Sequence, residues 1–94
     1  MAPQLLPDNE IEPAVARVGW QRSGNEIVHE ATFKDFAEAL AWVNEVGALA
    51  EARGHHPDIA ISWNRVTLRL STHSAGGLTQ LDFELAEAIN GIGA

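Results

Sequence analysis

The sequence predicts an α+β domain, a four-stranded antiparallel sheet with helices packed on one face. Three observations carry that reading. Apolar residues recur at spacings of three and four from Phe33 to Ala50, the period of a helix. Two stretches alternate apolar with polar residues, and each is broken by turn chemistry, at Ser23-Gly24-Asn25 and at Asn64-Arg65. Helix-start signals stand at both ends of the chain, at Pro7-Asp8-Asn9 and at Thr79. The order is helix, hairpin, helix, hairpin, helix, within one domain spanning residues 1–94.

Each element follows from local chemistry. Asp8 or Asn9 is available as N-cap of a short first helix, with Glu10 and Glu12 in its first turn, and Pro13 suits only that turn. Val18 to Gln21 then reads as a strand that returns after the turn as Glu26 to Thr32. Phe33, Phe36, Ala37, Leu40, Val43, Val46 (or Gly47) and Ala50 form the apolar stripe of the long helix, and Gly54 is placed to end it in a left-handed conformation. Past Pro57, Ile59, Ile61 and Trp63 share one face. After the turn, Val66, Leu68, Leu70 and Thr72 point one way and Thr67, Arg69, Ser71 and His73 the other. Thr79 with Asp82 makes a capping-box-like start to the last helix, which buries Leu81, Leu85, Ala86 and Ile89.

Composition narrows the function. Thirteen acidic residues against six basic ones give a formal charge of −7, which argues against nucleic-acid or anionic-membrane partners. With no cysteine, disulfides and thiolate chemistry are excluded. No stretch approaches the roughly 20 apolar residues of a membrane span. No signal-peptide pattern opens the chain, so a cytoplasmic protein is the expectation.

The residues with chemical promise are histidines. His55 and His56 follow the long helix, where the macrodipole favours a protonated imidazole. If the hairpin after Pro57 closes, His73 at the end of its second strand returns beside them. Glu51 lies four residues before His55 and can reach the same place. The competing reading is plain: such a pair can satisfy terminal carbonyls or stand in water, Glu51 can be a solvated helix residue, and Asp82 a helix-start carboxylate. His29 reads as a surface residue and Trp63 as core or pocket wall. A metal site is disfavoured, because adjacent histidines diverge from extended backbone. A serine triad from Ser71 or Ser74 lacks a nucleophile-elbow pattern.

Taken together, Glu51, His55-His56-Pro57, Trp63, Leu70-Ser71-Thr72-His73, Gly76-Gly77-Leu78-Thr79 and Asp82 resemble the signature of the pterin-4a-carbinolamine dehydratases. Gly19-Trp20 and Phe33-Lys34-Asp35-Phe36 resemble it too, so the likeness runs from about Leu5 to Ile92. His-His-Pro with Ser-Thr-His seventeen residues after the second histidine is its most specific part. The chain departs from the family at Gly54, where members often carry a polar residue, and at Ser74-Ala75, where some place an acidic one.

The resemblance implies removal of water from a 4a-hydroxytetrahydropterin to give quinonoid dihydropterin, with no metal or cofactor. It implies His55 and His73 as the acid/base pair, His56 as an orienting or charge-stabilising group, and Glu51 and Asp82 as supporting carboxylates, with Asp82 orienting His73. Pro57, Trp63, Ser71, Thr72, Ser74 and Ala75 are the implied substrate contacts. It also implies a homo-oligomer, dimer or tetramer, which an unpaired sheet edge independently favours. Similar domains serve as non-catalytic binding or assembly modules, and that is the alternative.

Overall fold

A computed structural model of the chain describes residues 3–93. Its elements are α1 (Asp8–Val18), β1 (Gln21–Ser23), β2 (Glu26–Thr32), α2 (Phe36–Arg53), β3 (Asp58–Ser62), β4 (Arg65–Leu70) and α3 (Gln80–Gly91), with a short 3₁₀ turn at His73–Ala75. The sheet is antiparallel in the order β1-β2-β4-β3, so each hairpin contributes one inner and one edge strand.

Strand register explains where the core lies. Ile27 faces Leu70, His29 faces Leu68 and Ala31 faces Val66 across β2 and β4. These residues share one face, and all but the half-buried His29 are sealed from solvent. The three helices cover that face with Ile11, Ala14 and Val18, with Ala39, Trp42 and Val46, and with Phe83, Leu85, Ala86 and Ile89. The opposite face carries Glu30, Arg65 and Arg69 into water. Arg22 on β1 ties the sheet to α1 through Asp8 and Glu12; the hydrogen bonds it donates to Glu12 and then to Asp8 hold its guanidinium above the ordinary arginine value.

Several local expectations are corrected. Pro13 lies inside α1, beyond its first turn, and Pro7 caps the helix without a side-chain hydrogen bond. Val18 belongs to α1, and β1 begins only at Gln21. Trp20 is buried in the connection, where its indole N–H donates to Asn90 Oδ1 at 3.0 Å.

The stripe along α2 is rotated from the expected one: Ala39, Trp42, Val46 and Ala50 are buried, while Phe36 and Leu40 are exposed. The helix starts later than Phe33, because Asp35 caps it by accepting from the Glu38 N–H. On α3, Phe83 is buried and Leu81 exposed. His29 is no surface residue; its ring stacks on Trp20 at 5.0 Å between centroids and stands near Trp42.

The second hairpin turns one residue earlier than the pattern implied. Ser62 pairs with Arg65, so Trp63 and Asn64 form the turn. Trp63 has φ of 56° and is 65% exposed, which removes it from the core.

Candidate active site

The long helix ends as the sequence implies. Gly54 adopts φ of 62°, and the amides of Gly54 and His55 return to the carbonyls of Glu51 and Ala50, each at 3.2 Å. This is a Schellman motif, in which a left-handed glycine satisfies two of the helix's last carbonyls. It fixes where His55 leaves the helix, five residues after Ala50.

At the other end of the hairpin's path, β4 stops at Leu70 and Thr72 makes a single bridge to Gly77. His73–Ala75 turn outside that bridge, and Gly76 closes the turn with φ of 79°. A Cβ on Gly77 would stand 3.0 Å from the Leu5 side chain, which would have to give way by a few tenths of an ångström. Thr79 then starts α3: its Oγ1 accepts from the Leu81 N–H at 3.2 Å, while its own N–H donates to Asp82 Oδ2 at 2.9 Å.

Four chain segments therefore meet at one end of the sheet: the end of α2, the start of β3, the end of β4 and the start of α3. Asp82 stands at the meeting point and is fully buried. Its Oδ1 lies 2.7 Å from His55 Nε2, and its Oδ2 accepts from the Thr72 hydroxyl at 2.8 Å. Thr72 Oγ1 is also 2.7 Å from Thr79 Oγ1. Beside this network His56 Nε2 is hydrogen-bonded to Glu51, and both side chains are largely exposed. Among the described residues no buried side-chain nitrogen or oxygen lacks a partner.

The structure thus joins Asp82 to His55, where the sequence expectation had it orienting His73. Glu51, expected as a supporting carboxylate, pairs with His56. His73 is exposed, one residue past Thr72, and so is tied to the same end of the sheet by its neighbour. Ser74 is exposed, while Pro57, Ser71 and Ala75 are half-buried around the same end.

Thr72 is 3% exposed with its hydroxyl committed inward, so its side chain is not available to a substrate. Its parity with Val66, Leu68 and Leu70 already signalled that direction. Trp63 is not brought to the histidines: the five residues of β3 separate it from Pro57, roughly 20 Å at strand rise. A depression of about 430 Å³ lined by Gly19, Gln21, Val28, His29 and Glu30 lies on the far side of β2 from the histidines.

Chemically the arrangement offers a carboxylate-backed imidazole, a second imidazole paired to an exposed carboxylate, and a third exposed on a short turn. Such a set moves protons. Among the described residues no cluster of three histidine, aspartate or glutamate side chains has the geometry to hold a metal ion. No helix there is long and apolar enough to cross a membrane.

Comparison with known proteins agrees in detail. The family described as pterin 4 alpha carbinolamine dehydratase matches residues 4–92. A protein of a Cyanothece species is 52% identical over 88 residues, spanning 93% of this chain and 91% of its own. One from Roseiflexus castenholzii is 54% identical over 89 residues, spanning 94% and 96%. Each is provisionally named a pterin-4-alpha-carbinolamine dehydratase.

Among solved structures, a transcriptional coactivator/pterin dehydratase from Brucella melitensis superposes with a TM-score of 0.89. It is 34% identical, with 95% of this chain and 98% of that one covered. A pterin dehydratase-like protein identified as a RuBisCO assembly factor of the alpha-carboxysome shares the fold alone, with a TM-score of 0.66 at 21% identity over 78% of this chain and 87% of that one.

Proposed function

The chain belongs to the pterin-4a-carbinolamine dehydratase family, and on that premise we propose that it dehydrates a 4a-hydroxytetrahydropterin to quinonoid dihydropterin. The observation that carries the reading is the buried Asp82–His55 pair at the end of the sheet where His56 and His73 also stand.

The reaction needs two proton transfers. Hydroxide is a poor leaving group from C4a, so one group must protonate that oxygen as the C–O bond breaks. The cation left behind becomes neutral by giving a ring-nitrogen proton to a second group. Water and the dihydropterin account for every atom of the substrate, and the two imidazoles end with one proton exchanged between them. His55 and His73 fill these roles, because a positioned imidazole can both give and accept a proton. His56, held by Glu51, orients the flat heterocycle or steadies its charge. Pro57, Ser71, Ser74 and Ala75 supply the surrounding contacts.

The reading further includes a cytoplasmic protein, tetrahydropterin recycling, and a dimer or tetramer. The exposed Ile59 on edge strand β3 is consistent with self-association.

His73→Ala tests the assignment. The side chain is exposed, so the fold is expected to be unchanged while the catalysed rate of carbinolamine loss falls by at least about tenfold, within the range general acid–base groups contribute. A variant as fast as wild type would remove His73 from the machinery. If the double variant His55→Ala/His73→Ala kept the protein's biological role, a non-catalytic binding module would be the better description.

A further inference from the structure

Resting on that functional reading, we infer that Thr72 and Thr79 are positioning residues: through Asp82 they hold His55 in one tautomer, with the proton on Nε2, and make Nδ1 the nitrogen that exchanges protons with the substrate.

The inference comes from counting donors. Thr79's backbone N–H is an obligate donor and points at Asp82 Oδ2. Thr72's hydroxyl spends its only proton on the same oxygen. Of the two hydroxyls that meet at 2.7 Å, Thr79's must then be the donor and Thr72's oxygen the acceptor. Thr79's oxygen in turn accepts from the Leu81 N–H. The buried chain therefore runs in one direction, from the Thr79 hydroxyl to Thr72 and on to Asp82, with no donor left over.

Asp82 presents only acceptor oxygens, and its Oδ1 faces His55 Nε2 at 2.7 Å. That nitrogen must carry the hydrogen. Nδ1 makes no hydrogen bond among the described residues and is the nitrogen left for chemistry. In the neutral ring it is a base; in the charged ring it bears the proton to be given. The carboxylate thus decides which ring atom works, and the one-way threonine relay, by filling Oδ2, keeps Oδ1 turned to His55.

Asp82→Asn tests this sharply because the shape is kept. The Thr79 amide and Thr72 hydroxyl require an oxygen at the Oδ2 position, so the new NH₂ must face His55 Nε2. A facing donor needs an acceptor, and the ring must switch its proton to Nδ1. Long-range ¹H–¹⁵N correlation spectra of the imidazole, recorded where it is neutral, read the tautomer directly. Wild type is expected to show hydrogen on Nε2, and Asp82→Asn to show it on Nδ1, with kcat lowered by roughly 10²- to 10⁴-fold, as expected when an acid–base imidazole is held in the wrong tautomer.

A wild-type ring protonated on Nδ1, or an Asp82→Asn ring unchanged, would overturn the inference. Should Asp82→Asn fail to fold, Thr72→Val against Thr72→Ser decides. Valine removes one of the two donors that hold Oδ2 and is expected to lower kcat several-fold at unchanged KM, and serine to restore it. Valine with the kcat of wild type would refute the relay. The spectra need no turnover, so the expected tautomer in a protein without dehydratase activity would sink the functional reading and leave only the assignment of the proton to Nε2 standing.

Discussion

Replacing Thr79 by alanine removes one oxygen from the most enclosed part of the site, and the structure allows the loss to be sized. Thr79 is fully buried. Its Oγ1 accepts from the Leu81 N–H at 3.2 Å and meets Thr72 Oγ1 at 2.7 Å. Loss of an N-cap hydroxyl costs about 1 kcal/mol. Loss of the hydroxyl–hydroxyl bond costs about another 1 kcal/mol, because Thr72 is left buried with an unfilled acceptor. Thr79→Ser keeps both bonds and loses one methyl group, about 0.8 kcal/mol. Alanine is therefore expected to fall about 2 kcal/mol below serine.

In a domain of this size each kcal/mol moves Tm by about 4–8 °C, so the two variants should melt about 8–16 °C apart. Circular dichroism melts at a single protein concentration measure this, since self-association would make Tm concentration-dependent. Alanine and serine variants melting within about 2 °C of each other would refute the reasoning, and with it the claim that the threonine pair is structurally committed.

Two further outcomes follow from the hairpin and the core. Trp63→Gly should raise Tm by several degrees, because a bulky residue at positive φ costs about 1–2 kcal/mol and the exposed indole packs little; a fall would mean that the indole is making contacts that matter. Leu68→Ala, at a fully buried position between Ile59 and His29 in the sheet, should cost about 2–5 kcal/mol in urea unfolding, and a cost under about 1 kcal/mol would contradict the placement of the core.

What could be read from residues alone was whatever local chemistry decides. Gly54 ends α2 because only a residue at ease with positive φ closes a Schellman motif, and the glycine stood where the apolar run stopped. Thr79 and Asp82 cap α3 because their three-residue spacing is itself the geometry of the cap. The four strands and their pairing as two hairpins likewise followed from alternation and turns.

The rest was hidden where local rules admit two answers. Helix α2 is apolar on more than one side, so a stripe through Phe36 and Leu40 fits the period as well as the one through Ala39 and Trp42 that is buried. Only the sheet beneath chooses between them. The turn slid from Asn64-Arg65 to Trp63-Asn64 because Asn64 is used elsewhere: its Nδ2 donates to the Phe33 carbonyl at 2.8 Å. No turn rule expects a tryptophan at positive φ.

Asp82 illustrates the same limit inside the site. Sequence separation put it closer to His73, nine positions away, than to His55, twenty-seven away. The loop closed by the bridge between Thr72 and Gly77 leaves His73 exposed, and the Schellman turn carries His55 to the carboxylate. The histidines were recognisable as a set; which of them has the buried carboxylate behind it required the fold.

The most direct test of the central claim is the rate at which a 4a-hydroxytetrahydropterin loses water with and without micromolar wild-type protein, near neutral pH. A rate that rises in proportion to protein concentration above spontaneous dehydration is the predicted result. A folded protein that leaves the spontaneous rate unchanged would contradict it.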